Sequence, residues 1–297
     1  MNLAYTIPMT RFGPSGNDSL FYEQGFKSTV QAPEWVAGMG LSAFEINFGR
    51  GIRMSEETAR AIGEQAAKHD VLLSAHAPYF INLARDAVNH PEGLEKGYGY
   101  IEKSLMLLKV MGGRNLVVHI GSQVELEREV AVANCKANLE TIMKRLDAHP
   151  NLKDFDFRIC IETMGRYAAI GNHEEVCDIC SVHPKVIPTL DFGHMNCLMQ
   201  GGLREEGAIE RIMDYCMQHV GREKMQNVHI HFSPIKFGAK GELGHLNFDI
   251  APEIFTPPFE PLAKYIKANK LNPTVICESA EVMAQDAVRL RAIFVEC

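Results

Sequence analysis

The chain has 297 residues, of which 46% are apolar and 23% charged, with 24 Gly and 14 Pro. This composition is that of an ordinary globular protein and excludes collagen-like, coiled-coil and disordered classes. No apolar run approaches the ~18–20 residues of a membrane span, and no basic leader precedes an apolar core, so we expect neither a membrane partner nor secretion. The formal net charge of −7 excludes a general affinity for nucleic acid. If the protein binds a polyanion, the positive charge for this must therefore come from a local group of basic residues or from bound metal.

Short β-rich runs alternate with longer helical patterns along the chain. The predicted strands are 9–13, 42–48, 71–76, 115–120, 157–162, 186–191, 227–232 and 274–278. The predicted helices are about 28–40, 55–69, 91–111, 123–148, 172–183, 205–219, 258–270 and 280–294. The helical predictions depend on apolar residues spaced three and four apart. Eight βα units without a linker between halves predict an α/β protein, with a single (β/α)8 TIM-barrel domain over residues 1–297.

An open doubly wound sheet is the alternative architecture for such an alternating pattern. That fold would require a glycine-rich phosphate loop after an early strand, and residues 11–16 lack the GxGxxG spacing. The barrel is therefore the better prediction.

A histidine or a carboxylate closes each of six consecutive predicted strands. These residues are His76, His119, Glu162, Asp191, His231 and Glu278. In a parallel barrel all six converge on the C-terminal mouth, where such enzymes hold their chemistry. Three carboxylates in one mouth repel one another unless cations lie between them. Imidazole and carboxylate ligands suit zinc, manganese or iron, and this number of ligands predicts at least two metal ions sharing a carboxylate.

Two further histidines follow the same strand ends. His194 lies on the turn after the sixth strand, and His245 lies in a glycine-rich loop, 238–245, after the seventh. They could extend the cluster to a third ion. His229 is interpreted as an interior barrel residue instead, because it lies one layer deeper than His231.

The sequence resembles the endonuclease IV family of apurinic/apyrimidinic-site endonucleases. The matching segments occur in family order and are 74–83 (SAHAPYFINL), 118–122 (VHIGS), 161–163 (IET), 190–194 (LDFGH), 231–233 (HFS) and 277–278 (CE). The resemblance implies a TIM barrel with three zinc ions that cleaves double-stranded DNA on the 5′ side of an abasic site. The products would carry a 3′-hydroxyl and a 5′-deoxyribose phosphate.

Carried over position by position, the resemblance implies a role for each matching residue. His76 and His119 would hold the first zinc, with Glu162 bridging to the second. Asp191, His231 and Glu278 would complete the second site, and Glu278 would also orient or deprotonate the nucleophile, so Glu162 and Glu278 are the catalytic candidates. His194 and His245 would hold the third ion. The DNA-binding candidates are Tyr79, Phe80 and Arg50.

The third metal site departs from the family pattern. The family has Asp-x-His where this chain has Leu243 two residues before His245. Leucine cannot bind a metal, so Glu242 or a water molecule would have to replace the missing ligand.

A metal-dependent sugar isomerase or epimerase of the same barrel superfamily is the alternative function. Such an enzyme needs only the one metal site of Glu162, Asp191, His231 and Glu278, with manganese, and the other four histidines would be idle. We expect two or three zinc ions, no organic cofactor and a monomer. Without a secretion signal, the eight cysteines are expected to be reduced thiols in the cytoplasm.

Overall fold

A computed structural model describes residues 10–123 and 125–297 of the chain. The strands of this part, in chain order, are β1 (Arg11–Pro14), β2 (Ala43–Asn47), β3 (Leu72–His76), β4 (Asn115–Val118), β5 (Arg158–Glu162), β6 (Val186–Asp191), β7 (His229–His231), β8 (Ile235–Gly238), β9 (Gly241–His245) and β10 (Thr274–Cys277). All of them except β8 and β9 form one parallel sheet in the order β1-β10-β7-β6-β5-β4-β3-β2. β8 and β9 form a separate antiparallel hairpin.

Helices flank the parallel sheet on its outer face. The α-helices of the described part are α1 (Ser19–Glu23), α2 (Ala32–Gly38), α3 (Glu56–His69), α4 (Pro91–Met111), α5 (Arg128–Ala148), α6 (His173–Ile179), α7 (Phe192–Leu198), α8 (Ala208–Val220), α9 (Arg222–Met225), α10 (Phe259–Ala268) and α11 (Met283–Glu296). Single 3₁₀ turns are Thr29–Gln31, Cys180–Val182, Gly202–Arg204 and Glu253–Phe255. The main apolar core lies between these helices and the sheet.

The two outer strands of the sheet, β1 and β2, meet and nearly close it into a barrel. The backbone N–H of Ser42 donates to the carbonyl oxygen of Phe12 at 3.0 Å, and Ser15 forms a parallel bridge with Glu45. Gly13 makes this approach possible, because a Cβ atom there would lie 1.7 Å from the carbonyl oxygen of Ala43. The protein is a TIM barrel, as predicted.

The first and last parts of the chain are joined at this same seam. β1 pairs in parallel with β10, and Phe12 on β1 packs against Phe294 on α11 with ring centroids 5.4 Å apart. The carboxylate of Asp18 accepts the backbone N–H of Phe21 in α1 and, at 2.9 Å, that of Ala284 in α11. One side chain therefore caps helices from both ends of the chain.

Successive side chains of each strand point alternately into the barrel interior and into the apolar core between the sheet and the helices. Val117, Cys160 and Ile187 lie in register on β4, β5 and β6 and form a small apolar cluster apart from the main core. Because side chains alternate along a strand, Glu162 faces the same side of β5 as Cys160, two residues before it. On β4, β5 and β6, the polar mouth thus lies directly above apolar interior side chains.

The structure differs from the predicted elements mainly in the loops at the mouth. The helix predicted from residue 123 begins at Arg128, because the N–H of Gln123 donates instead to the carbonyl of Ala168. The turn after β6 is helix α7, and the loop after β7 is the β8–β9 hairpin. Met9, predicted to begin the first strand, and residue 124 lie outside the described residues.

Candidate metal centre

The predicted mouth residues lie at the carboxyl ends of four strands and directly after two more, and the six strands are neighbours in the sheet. His76, Glu162, Asp191 and His231 are the last residues of β3, β5, β6 and β7, while His119 and Glu278 directly follow β4 and β10. Strand register places Asp191 beside His231. His76, His119 and Glu278, together with loop residues, line a cavity of about 860 Å³.

Glu162 connects two groups of possible metal ligands. Its Oε2 lies 3.0 Å from Nε2 of His76 and 2.7 Å from Nε2 of His119. Its Oε1 lies 2.9 Å from Nδ1 of His231, and the same Nδ1 lies 3.3 Å from Oε2 of Glu278. Asp191 completes this second group, so the two groups share one fully buried carboxylate.

The third group consists of His194, Glu242 and His245. Asp191 caps α7 by accepting the backbone N–H of His194 at 2.8 Å, which fixes His194 at the start of that helix. Glu242 Oε2 lies 3.7 Å from Nε2 of His194. Leu243, by contrast, is 63% exposed and lies near Gly238. The structure therefore places Glu242, and not Leu243, beside the two histidines.

The hairpin is anchored where it supplies Glu242. The backbone N–H of Glu242 donates to the carbonyl of Gly165 at 2.8 Å, in the loop after β5. Arg166 in the same loop lies 3.4 Å from the Glu242 carboxylate. These two contacts fix Glu242, and with it the third group, beside the loop that follows the strand of Glu162.

The orientation of the histidine rings suits bound cations. Nδ1 of His76 lies 2.8 Å from the carbonyl oxygen of Ala77, and Nδ1 of His194 lies 2.9 Å from that of Thr163. A carbonyl oxygen only accepts, so each Nδ1 carries a proton, and each Nε2 faces a carboxylate oxygen. A histidine ring held by Nδ1–H on a carbonyl oxygen, with Nε2 directed at further ligands, is the arrangement typical of histidines that bind metal. Oδ2 of Asp191 is also buried without a hydrogen-bond partner among the described residues.

Charges at the mouth shift the acidities of these groups. Burial disfavours charge on His194, but the carboxylates of Asp191 and Glu162 outweigh it and raise the pKa of His194 to about 9. Burial raises the pKa of Asp191, and the charge of Glu162 adds to this increase. The charge of His194 acts in the opposite direction and offsets part of it. Neighbouring carboxylates contribute to both shifts, and their negative field favours the binding of divalent cations.

Tyr79 covers the first group from the cavity side. Its ring stacks on His119 with centroids 5.2 Å apart, and its hydroxyl oxygen accepts a hydrogen bond from Nδ2 of Asn47 at 2.6 Å. Burial and the charge of Glu278 raise the pKa of Tyr79 to about 12, so the phenol stays neutral. Phe80 is exposed at the cavity rim and contacts the edge of Tyr100.

The structure brings different arginines to the cavity from the one predicted. Arg50 is exposed in the turn after β2 and, among the described residues, does not belong to the cavity lining. Arg85 and Arg166 line the cavity instead. Both are loop residues without a strand-end signal, and the sequence analysis did not identify them.

A further missed residue is Glu45, which is fully buried in β2 with His229 and His231 beside it. The signal for it was present in the sequence, since Glu45 is a charged residue within the apolar run Ala43-Phe44-Glu45-Ile46. A buried carboxylate is uncommon unless it is paired.

Comparison with known proteins assigns the chain to a family. Residues 33–292 match the xylose isomerase-like TIM barrel family, and the chain belongs to it. A protein of Methanocaldococcus jannaschii described as uncharacterized is 29% identical over 271 residues, which are 90% of this chain and 92% of that protein. A "probable endonuclease 4" of Listeria monocytogenes serotype 4b is 25% identical over 242 residues, 76% of this chain and 77% of that protein.

Solved structures with the same fold include both epimerases and an endonuclease. An L-ribulose 3-epimerase superposes with a TM-score of 0.66 at 12% identity, covering 97% of this chain and 95% of its own. An AP endonuclease, family 2, from Brucella melitensis gives a TM-score of 0.59 at 15% identity, covering 89% and 92%. These likenesses establish the fold alone. In the described part of the chain, no helix is long and apolar enough to cross a membrane.

Proposed function

We propose that the protein is a metal-dependent endonuclease that cleaves double-stranded DNA on the 5′ side of abasic sites and leaves a 3′-hydroxyl and a 5′-deoxyribose phosphate. The observation that carries the proposal is the position of three ligand groups around one cavity. The similarity to proteins described as probable endonuclease 4 supports it. We further propose that it acts as a monomer in the cytoplasm.

The ligand groups would hold two or three zinc ions, with manganese as a substitute. His76, His119 and Glu162 would form the first site, and Glu162, Asp191, His231 and Glu278 the second. His194, Glu242 and His245 would form the third. When bound, divalent ions supply Lewis acidity to a phosphodiester and lower the pKa of water from 15.7 towards ~7.

The chain's own residues would bind the DNA and handle the proton. Glu278 would orient the attacking water and accept its proton, and the position of its carboxylate at the cavity wall beside His231 supports this role. Tyr79 and Phe80 present aromatic surface at the rim, which suits insertion at a base-stack gap. Arg85 and Arg166 lie where they can bind phosphate oxygens.

A sugar epimerase is the second candidate function. The group of Glu162, Asp191, His231 and Glu278 is sufficient for a single-metal epimerase site, and several solved structures with this fold are epimerases. The endonuclease is favoured because His76, His119, His194 and His245 also line the cavity, and a single-metal reaction would not use them.

The deciding experiment uses a duplex that contains one tetrahydrofuran abasic analogue. Protein purified without chelator should carry more than one transition metal per chain, mainly zinc, and should nick this duplex without added magnesium. An undamaged duplex of the same sequence is the control. A protein that epimerises a ketohexose but does not nick the duplex would be an epimerase and not an endonuclease. One metal ion or none in active protein would contradict the proposed multi-metal centre.

A further inference from the structure

Glu45 lies inside the barrel beneath the metal-ligand groups, within reach of four polar side chains. Its Oε2 accepts hydrogen bonds from Oγ of Ser74 at 2.8 Å and from Nε2 of His229 at 2.9 Å. Its Oε1 lies 3.1 Å from Nε2 of His231 and 3.5 Å from Oγ of Ser15. These contacts come from β1, β3 and β7, so Glu45 on β2 connects strands across the barrel interior.

His231 differs from His76 and His119 in the nitrogen that it directs at Glu162. His76 and His119 direct Nε2 at this carboxylate, whereas His231 directs Nδ1. Nε2 of His231 points down the barrel towards Glu45. A neutral imidazole that binds a metal through Nδ1 carries its proton on Nε2, and a buried N–H requires an acceptor. Among the described residues, Oε1 of Glu45 lies 3.1 Å from this nitrogen, outside the angle of a formed hydrogen bond, and no other atom accepts from it. Glu45 is therefore the acceptor within reach of this N–H.

The group of Glu45, His229 and His231 also has the spacing of a metal site. Hydrogen bonding accounts for it without an ion. Nδ2 of Asn115 lies 3.4 Å from Nδ1 of His229, which leaves the His229 proton on Nε2, where it donates to Glu45. The Ser74 hydroxyl occupies the same carboxylate oxygen. Two hydrogen-bond donors thus meet the carboxylate at Oε2, and its Oε1 faces His231.

We propose that Glu45 is a positioning residue that holds His231 with Nε2–H directed at its own carboxylate and the Nδ1 lone pair directed at Glu162, Asp191 and Glu278. This inference rests on the proposed metal centre. Carboxylates behind metal-binding histidines fix the tautomer and increase ligand basicity, and their loss weakens metal binding about 10- to 100-fold. The same loss is expected here at the second site.

The test compares Glu45→Gln with Ser74→Ala. Glutamine keeps the size of the side chain but has one acceptor oxygen to share among its neighbours. Ser74→Ala removes one hydrogen bond to the same carboxylate, at the oxygen that does not face His231, and controls for a general loss of packing. Zinc release is followed by chelator titration, and the Co²⁺-substituted proteins are compared by visible absorption.

We expect Glu45→Gln to weaken the binding of one ion about 10- to 100-fold and to change the Co²⁺ spectrum. Ser74→Ala should lower the thermal stability but leave both metal readouts unchanged. Equal zinc affinity in the parent and Glu45→Gln proteins would overturn the proposal. A parent that holds a fourth ion, absent from Glu45→Gln, would also overturn it, because Glu45 would then be a ligand.

A second variant covers the case in which Glu45→Gln does not fold. Glu45→Asp retains the charge with a shorter reach, and it should weaken the binding of the same ion. Unchanged binding in Glu45→Asp together with an unfolded Glu45→Gln would assign Glu45 a structural role only. Because zinc affinity is measured without DNA, a parent that binds zinc but does not nick would contradict the proposed function and leave this inference standing.

Discussion

Glu162 faces four imidazoles, two at each carboxylate oxygen. His76 and His119 approach Oε2, and His231 and His194 approach Oε1, the last at 3.6 Å. Burial opposes ionisation, but the charges and hydrogen bonds of His119 and His231 hold the pKa of Glu162 well below its usual value. The group therefore stays an anion, as a bridging metal ligand must.

Glu278 is the residue whose charge we expect to matter most for rate. Burial raises its pKa, but the charge and hydrogen bond of His231 dominate and lower the pKa of Glu278 to about 2. Glu278→Gln keeps the shape and removes the charge, so we expect single-turnover nicking of abasic duplex to slow ~10²- to 10⁴-fold. Glu260→Gln, on the exposed face of α10, is the control and should nick like the parent. Fast nicking by Glu278→Gln at full zinc content would remove the assigned role.

Glu242 and Leu243 form a natural pair for testing the third site. Glu242→Gln should make one ion the first to leave under mild chelation and should lower the nicking rate while the fold survives. Leu243→Asp should change neither, because Leu243 is exposed outside the group. Stepwise chelation with zinc counting measures both variants. If Leu243→Asp increases the affinity for the ion and Glu242→Gln has no effect, position 243 and not Glu242 is the ligand position, as in the family's Asp-x-His pattern.

At the scale of elements, the contact between β1 and β2 determines whether the sheet becomes a barrel. The backbones approach so closely at Gly13 that no side chain fits between them. None of the residues of the three ligand groups lies on β1 or β2, but β3 and β10, which lead to His76 and Glu278, are the neighbours of these two strands.

Gly13→Ala should destabilise the fold strongly. Its Cβ would overlap the carbonyl of Ala43, and forcing extra atoms into a packed interior typically costs 1–3 kcal/mol, so we expect a loss of at least about 3 kcal/mol against backbone. Gly99→Ala is the matched control, because Gly99 is exposed on α4 with open space around it. That variant should gain up to about 1 kcal/mol from helix propensity. Chemical denaturation measures both, and equal effects would show that the seam tolerates a side chain.

At the scale of the whole molecule, the net charge of −7 conflicts with DNA as a substrate. Three divalent ions would raise the formal charge to −1 and would place the added charge at the mouth. The attraction for phosphate would then come from the metal centre together with Arg85 and Arg166, and it would be confined to the cavity.

Metal removal should consequently weaken DNA binding as well as catalysis. We expect chelated protein to bind abasic duplex at least about tenfold more weakly than zinc-loaded protein, because the local positive field is lost. Fluorescence anisotropy with a labelled duplex at several salt concentrations measures the difference. Restored binding after zinc addition is the control for intact fold. Equal affinity of the two forms would place the DNA-binding charge elsewhere on the surface.

Much of this architecture could be predicted from the sequence, because both barrel strands and strand-end ligands have local signals. His76, Glu162, Asp191 and His231 each follow an apolar run, and parallel strands bring such positions to one face. Glu242 could not be assigned in this way, since its position depends on a hairpin with an irregular register and on a contact with Gly165.

Other features depend on contacts between distant segments. The partner of Glu45 on β7 is 184 residues away in sequence, so its environment appears only when the barrel closes. The cavity arginines come from loops whose paths are set by backbone bonds such as that from Gln123 to Ala168. Sequence patterns report the periodicity of one element at a time, and they contain no measure of these long-range contacts.

The joining of the first and last strands has a consequence for folding kinetics. β1 pairs with β10 and Asp18 accepts the N–H of Ala284, so this edge of the barrel cannot form until the residues up to α11 have been synthesised. Contacts between distant segments form slowly, because the chain entropy of a long loop is lost before they are made. Glu278 arrives with the same final strand, so we expect closure of the barrel and completion of the second ligand group to occur in one late step.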